Sequence, residues 1–301
     1  MRKALTIVLL FIINLGYAQK TEQLLEKAYK ERSKEQLANF FLQWNKEIPP
    51  IDLADLEQLN SYQREAYNAF TAFYKPHRLD SIGKSEWGND IYKQTDVLLV
   101  QNQIQIFSQK IFYSDAEIDS IITSSVNRTE TQDSTRQRIL RRVDGKLNQE
   151  IRNEYGFENS FSFQYPDIGI PVDSIMNFRP NIKVPGKLCV YLTTEREKTL
   201  KAFLGDKHLP IGSGGIMNPA RSKGASEKRK KFLEHHIKIW YGHWGGYWQL
   251  KSYPVASSIT FDKDMQYARV NFRLVYEGGQ AILKKIDGKW TLISSKITWI
   301  E

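Results

Sequence analysis

The stretch Ala268-Arg269-Val270-Asn271-Phe272-Arg273-Leu274-Val275-Tyr276-Glu277-Gly278-Gly279 decides the fold. Ala268, Val270, Phe272, Leu274 and Tyr276 alternate with Arg269, Asn271 and Arg273, and side chains two apart share a face of a strand. Strict alternation predicts a half-buried antiparallel strand. Glu277-Gly278-Gly279 reads as its turn, and Ala281 to Ile286 as the returning strand. Asp287-Gly288 is the signal of a two-residue hairpin. Beyond it, Trp290 and Leu292 share one parity while Ile293, Ile297 and Trp299 share the other. That switch predicts a bulge near Ser294 that bends the last strand.

Working outward, Ser226 opens a predicted helix whose apolar side is Phe232, Leu233, Ile237, Trp240 and Tyr241, broken by Gly242. A helix followed by bent antiparallel strands, ending in Tyr276-Glu277-Gly278-Gly279 and Lys285-Ile286-Asp287-Gly288-Lys289-Trp290, resembles the C-terminal sheet of the nuclear-transport-factor-2-like superfamily. The resemblance covers about Ser226 to Glu301. It implies a cone-shaped α+β fold, a pocket between the curved sheet and its helices, and a homodimer formed through the sheet. The family holds enzymes and non-catalytic proteins alike. No Asp-His or Tyr-Asp pair of its enzymes is matched, so no catalytic residue carries over.

Toward the N-terminus, Ser33 and Gln36 form a capping box before Leu37, Phe40, Phe41, Trp44 and Ile48. Pro49-Pro50 stops that helix. Leu53, Leu56, Leu59, Tyr62, Ala66, Phe70 and Phe73 predict a second helix, ending before Pro76, that packs on the first as a hairpin. Val97 to Phe107 reads as strand. Ser114 and Glu117 cap a helix through Ile118, Ile121 and Ile122, and Ile139 to Ile151 forms another. Short strands and loops follow over Tyr155 to Pro185, then a strand over Lys187 to Leu192. Thr194 and Glu197 cap a helix closed by Gly205. The fold class is α+β: a helical hairpin and mixed segment over 20–210, a Gly/Ser-rich connector at 211–225, and a helix packed on a curved antiparallel sheet over 226–301.

At the start, Arg2 and Lys3 precede an apolar run from Ala4 to Leu15, and Gly16 and Ala18 are small residues one position apart. Residues 1–19 therefore read as a secretory signal peptide. The chain is expected to be exported, periplasmic or secreted. Cys189 is the single cysteine, so no lipoprotein anchor and no internal disulfide are expected; its strand context predicts an inert core thiol. No later segment is apolar for long enough to span a membrane. The net charge of +9 is clustered at Arg136, Arg138, Arg141, Arg142 and Lys146 and again at Arg221, Lys223, Lys228, Arg229, Lys230 and Lys231. These clusters read first as solvated helix faces; export disfavours nucleic acid, and a patch that does bind a polyanion is expected to take envelope glycolipid or polysaccharide.

Chemistry-bearing residues concentrate late. Glu234-His235-His236 with His243 has the wrong spacing for a metal, since adjacent residues on a helix point about 100° apart. No metal and no cofactor are expected, and His236 reads as a hydrogen-bonded core residue. Ile211-Gly212-Ser213-Gly214-Gly215 lacks the lysine-serine/threonine pair of a phosphate loop. His243-Trp244-Gly245-Gly246-Tyr247-Trp248 offers adjacent aromatics beside glycines, a platform for a sugar ring or a filling for the core. Arg269 and Arg273 share a sheet face with Asn271, bind an anion if that face is concave, and are solvated by default. Candidate ligand-binding residues are thus His236, His243, Trp244, Tyr247, Trp248, Arg269 and Arg273. The favoured reading is an exported non-catalytic protein that binds a small molecule, a glycan or an envelope protein. The alternatives are a hydrolase or isomerase using His236 or His243 beside Arg269, and an envelope component holding anionic polymer.

Overall fold

The computed structural model describes residues 22–83, 87–88, 90–108, 112–114, 160–162, 170–205, 225–241 and 248–301. The expected leader, the helices at 118–122 and 139–151, the connector at 211–224, the basic residues Arg136 to Lys146, Arg221 and Lys223, and His243, Trp244 and Tyr247 lie outside them. In chain order the elements are α1 (22–30), α2 (Lys34–Glu47), α3 (Leu53–Gln58), α4 (Ser61–Phe73), β1 (Val97–Gln101), β2 (Ile104–Ser108), β3 (Phe112–Ser114), β4 (Ser160–Ser162), β5 (Ile170–Ile175), β6 (Leu188–Leu192), α5 (Thr194–Leu204), α6 (Ala225–Leu233), β7 (Trp240–Tyr241), β8 (Trp248–Gln249), β9 (Val255–Phe261), β10 (Tyr267–Leu274), β11 (Glu277–Ile286) and β12 (Lys289–Ile300). The class is α+β.

The chain forms two compact units and passes between them at 51–52, 89–90, 102–103, 176–177 and 253–254. The division is therefore interleaved, unlike the sequential one expected at 211–225. Unit 1 comprises residues 1–51, 90–102 and 177–253; unit 2 comprises 52–89, 103–176 and 254–301.

In unit 1, β1 pairs in parallel with β6, from Val97↔Leu188 to Gln101↔Leu192. All five residues of β1 are buried, as a strand covered on both faces must be. Leu25, Phe40, Phe41, Trp44, Phe203, Phe232 and Leu233 of α1, α2, α5 and α6 form one core with Leu99 and Val190. Ser33 caps α2 by accepting from Gln36 N at 3.1 Å. The reciprocal half of the box is absent, because Ser33 N donates instead to Ala28 O at 3.0 Å, while the Gln36 amide donates to Glu31. Thr193 caps α5, one residue before the expected Thr194, and Gly205 closes it at φ +73°. Arg229 of α6 pairs with Glu26 and lies 4.6 Å over the Phe203 ring. Lys230 pairs with Glu234. Two of the four cations at 228–231 are thus spent inside the fold.

The C-terminal helix corrects the sequence reading. It stops at Leu233, and Trp240–Tyr241 is a strand. The last turn tightens, with His236 N donating to Leu233 O at 3.0 Å, and the His236 carbonyl then accepts from Asp96 N and Val97 N at the head of β1. Those two donors capture the chain before the apolar periodicity runs out. The helix belongs to unit 1 and the C-terminal sheet to unit 2.

Unit 2 is built on a six-stranded sheet in the order β12-β11-β10-β9-β2-β5, antiparallel except where β2 runs parallel to β9. Its apolar face carries Ala268, Val270, Phe272 and Leu274 and is covered by α4. The Phe73 and Phe272 rings lie 5.6 Å apart, and Tyr62 lies 6.2 Å from Phe261. On the same face the Trp290 indole donates to Glu65 at 2.6 Å, and Lys285 reaches the other Glu65 oxygen at 2.8 Å. The two helices expected to form a hairpin fall in different units, α2 in unit 1 and α4 in unit 2. The single long helix expected from Leu53 is two, because Asp52 caps α3 and Asn60 caps α4 by accepting from Gln63 N at 2.9 Å.

The two-residue loop Asp287-Gly288 has positive φ at both positions, the geometry of a type I′ turn. The other hairpin turns at Val275-Tyr276, not at the glycines, since Leu274 pairs with Glu277. Val275 sits at φ +53°, an unfavourable conformation for a β-branched residue that costs about 1–3 kcal/mol. It is held there by Arg273 Nε donating to its carbonyl at 2.8 Å. Register shifts in β12 fall at Ile293, beside the expected Ser294, and again at Thr298. At the second bulge β12 presses onto β11. A Cβ at Gly279 would lie 2.0 Å from the Lys296 carbonyl oxygen, so these glycines serve close approach. Gly279→Ala is expected to destabilise unit 2 by about 1–3 kcal/mol in urea unfolding.

Asp262 organises the β9–β10 loop, accepting from Gln266 N at 2.8 Å and Tyr267 N at 2.9 Å. Burial outweighs these bonds and raises its carboxyl above the usual carboxylate range. The folded state therefore binds this proton more tightly than the unfolded chain does. Its contribution is fully present below about pH 4 and is lost as pH rises through the native value. Asp262→Asn keeps an acceptor without the charge, and unfolding temperatures measured across pH 4 to 7 should depend less on pH in the variant.

Candidate functional site

His236 and Trp248 belong to unit 1, and Arg269 and Arg273 to unit 2. Arg269, expected to be solvated, is fully buried. It stands on β10 opposite Thr260 and Ile282, which are also without exposed surface. Its guanidinium is engaged within the fold. Along the same face Asn271 donates to Ser258 at 2.9 Å and accepts from Gln280 at 3.0 Å, a polar ladder across three strands. Arg273 pairs with Glu301 and lies 5.8 Å over the Trp299 ring, so it fastens the C-terminal end of the chain.

His236 is clamped at both ring nitrogens. Nδ1 lies 3.1 Å from Asp96 Oδ2 and Nε2 lies 3.1 Å from the Lys34 carbonyl. Both ring nitrogens thus face acceptors inside unit 1, and a neutral imidazole donates to one of them at a time. Asp96 precedes a buried strand, and nothing in its sequence context marked it as this partner. Trp248 is buried against Tyr241 with ring centroids 4.6 Å apart, and β8 pairs with β7. Trp248 is buried, whereas Tyr241 is exposed and Trp240 half-buried. Among the described residues no group of three His, Cys, Asp or Glu is placed to hold a metal ion. No described helix is long and apolar enough to cross a membrane.

The built concavity of unit 1 lies elsewhere. A cleft of about 430 Å³ opens between the end of α2, the 180–187 loop and the start of β6. Its walls are Pro50, Ile182, Pro185, Leu188 and the Tyr191 ring, with the Asn45 amide and Lys183 as polar groups and Cys189 at its floor. Alternating apolar walls with a few polar groups is the usual make-up of a small-molecule site. The loop is strapped at both ends. Ile51 N donates to Arg179 O and Arg179 donates to Pro49 O, both at 2.9 Å. Tyr191 Oη donates to Pro180 O. Lys187 Nζ donates to Tyr92 O at 2.7 Å and also to Thr95 O. Phe178 N donates to Asn102 O at 2.8 Å, and Asn102 returns a bond to Phe178 O at 3.1 Å.

These residues were read from the sequence only as short strands and loops. Four prolines among aromatics signalled irregular backbone, and nothing in their spacing said that they would wall a cleft.

No protein-family model matches this chain, and searches of the curated proteins and of the solved structures find no match.

Burial pushes the Cys189 thiol up to about 11, so it stays protonated at neutral pH. Alkylation by iodoacetamide in the folded chain should be slow at pH 7.5 and accelerate only above about pH 10, whereas unfolding in urea restores the ordinary thiol near 8.5. A fast reaction at pH 7.5 in the native state would contradict this placement.

Proposed function

We propose that the chain is an exported, non-catalytic binding protein whose ligand is a small molecule or glycan fragment seated in the unit 1 cleft. The observation that carries this reading is the strapping of the 180–187 loop. A concave wall held by seven hydrogen bonds, to Pro49, Ile51, Tyr92, Thr95, Asn102 and Tyr191, is preorganised, and a preorganised wall loses little freedom when a ligand arrives. The chemistry of the cleft agrees with binding. The Cys189 thiol in its lining is protonated, and the Asn45 amide and Lys183 ammonium can orient a ligand. Export rests on the charged, apolar and small-residue pattern of residues 1–19, with a periplasmic or secreted destination. The likeness of the C-terminal strands to the nuclear-transport-factor-2-like cone belongs to the same reading, supported by the bulged β12.

A thermal-shift panel of envelope-derived sugars, amino acids and lipid fragments tests it. At least one compound should raise the unfolding temperature of the native chain. Ile182→Trp, which fills the cleft from a half-buried position, should abolish that shift while circular dichroism shows the fold retained. Stabilisation that survives Ile182→Trp, or none across the panel, would count against the cleft.

A further inference from the structure

We propose that unit 2 carries a separate oxyanion site at the outer edge of β12, suited to a small ligand that joins an anionic group to a hydroxyl, such as a sugar phosphate. Among the described residues no strand lies beyond β12 in the sheet. The bulge at Ile293 bends this edge, and a cleft of about 470 Å³ opens between it and the segment that follows α4. Lys75, Arg78, Asp80 and Ser81 form one wall, and Ile293 and Ser294 face them. Bulges at sheet edges commonly re-aim side chains toward functional sites.

The cleft is fixed in shape. Ser295 Oγ accepts from Gly83 N at 2.7 Å and donates to Ser81 O at 3.3 Å, tying the 81–83 segment to the strand. Ser81 Oγ donates to Arg78 O at 2.5 Å, which locks the turn that carries the guanidinium.

Among the described residues, one carboxylate, Asp80, stands with the two cations of this wall. The Lys75 ammonium has no hydrogen bond or ion pair with any described residue. Arg78 Nε lies 3.7 Å from Asp80 Oδ1 with both side chains about half exposed or more, a weak contact that leaves the terminal guanidinium nitrogens available. A planar fork beside a point charge is a good receiver of an oxyanion. Asp80 works against a bare anion but accepts from a hydroxyl. The wall therefore selects ligands with both groups over neutral sugars and over inorganic ions. This site is independent of the unit 1 cleft: it uses other residues and another ligand chemistry.

Isothermal titration calorimetry on the full chain with glucose 6-phosphate, inorganic phosphate and glucose tests the proposal. Glucose 6-phosphate should bind, inorganic phosphate more weakly, and glucose not at all. Arg78→Ala and Lys75→Ala should each weaken glucose 6-phosphate by roughly tenfold. Asp80→Asn should narrow the gap between glucose 6-phosphate and inorganic phosphate. Both cations are exposed, so an unchanged unfolding midpoint confirms that the variants are folded; Lys75→Gln replaces any that is not. No binding of either phosphate at millimolar concentration, equal affinity for the two, or affinity unchanged in both cation variants would overturn it.

Discussion

One carboxylate fixes where α4 lies on the sheet of unit 2. Glu65 takes the Trp290 indole N–H on one oxygen and the Lys285 ammonium on the other, from two neighbouring strands. The apolar contacts of Tyr67, Phe70 and Phe73 supply most of the attraction, at about 1.5–3 kcal/mol for each buried side chain. Such contacts are not directional and would tolerate a slide along the helix axis. A charge-assisted pair of bonds does not tolerate it. Packing thus makes the helix cover the sheet, and Glu65 sets the register. The bulges of β12 and the close approach at Gly279 lie in the two strands that Glu65 ties to the helix.

Unit 1 uses its polar groups in a related way. Arg196 pairs with Glu47 and lies 5.5 Å over the Trp44 ring, while the Trp44 indole donates to the Tyr191 carbonyl at 3.1 Å. His236 closes the same unit from the other side, and Tyr92, fully buried, receives Tyr253 N. Burial raises the Tyr92 hydroxyl far above its ordinary value, so it remains neutral. With these groups committed to the fold, what the unit presents outward is shape: a strapped, mostly apolar cleft. That is the physical basis for reading binding rather than proton transfer.

The C-terminal sheet was legible because its signals are local. Alternation from Ala268 to Leu274 and the Asp287-Gly288 pair each specify geometry within a few residues, and the parity switch placed the bulge within one. The helix caps at Ser33 and the stop at Gly205 were legible for the same reason. Partnership was not. Nothing in Leu53 to Phe73 says whether its apolar side meets α2 or β10, because both are apolar and only Glu65 distinguishes them. Asn60 split that helix through a cap that the continuing leucine pattern concealed. Val97 to Phe107 read as one strand, yet Asn102 and Gln103 divide it between two units. Arg269 looked solvated because alternation marks a polar face without telling whether that face is covered. The turn at Val275-Tyr276 was hidden by glycines whose purpose is contact with β12.

Native-state hydrogen exchange tests the central claim that α4 and the sheet are one cooperative structure although about 200 residues of chain separate them. The amides of Ser61 to Phe73 should open with the same free energy, and the same urea dependence, as those of Tyr267 to Ile286. Exchange of Ser61 to Phe73 in step with Lys34 to Glu47, with the strands protected separately, would contradict the account.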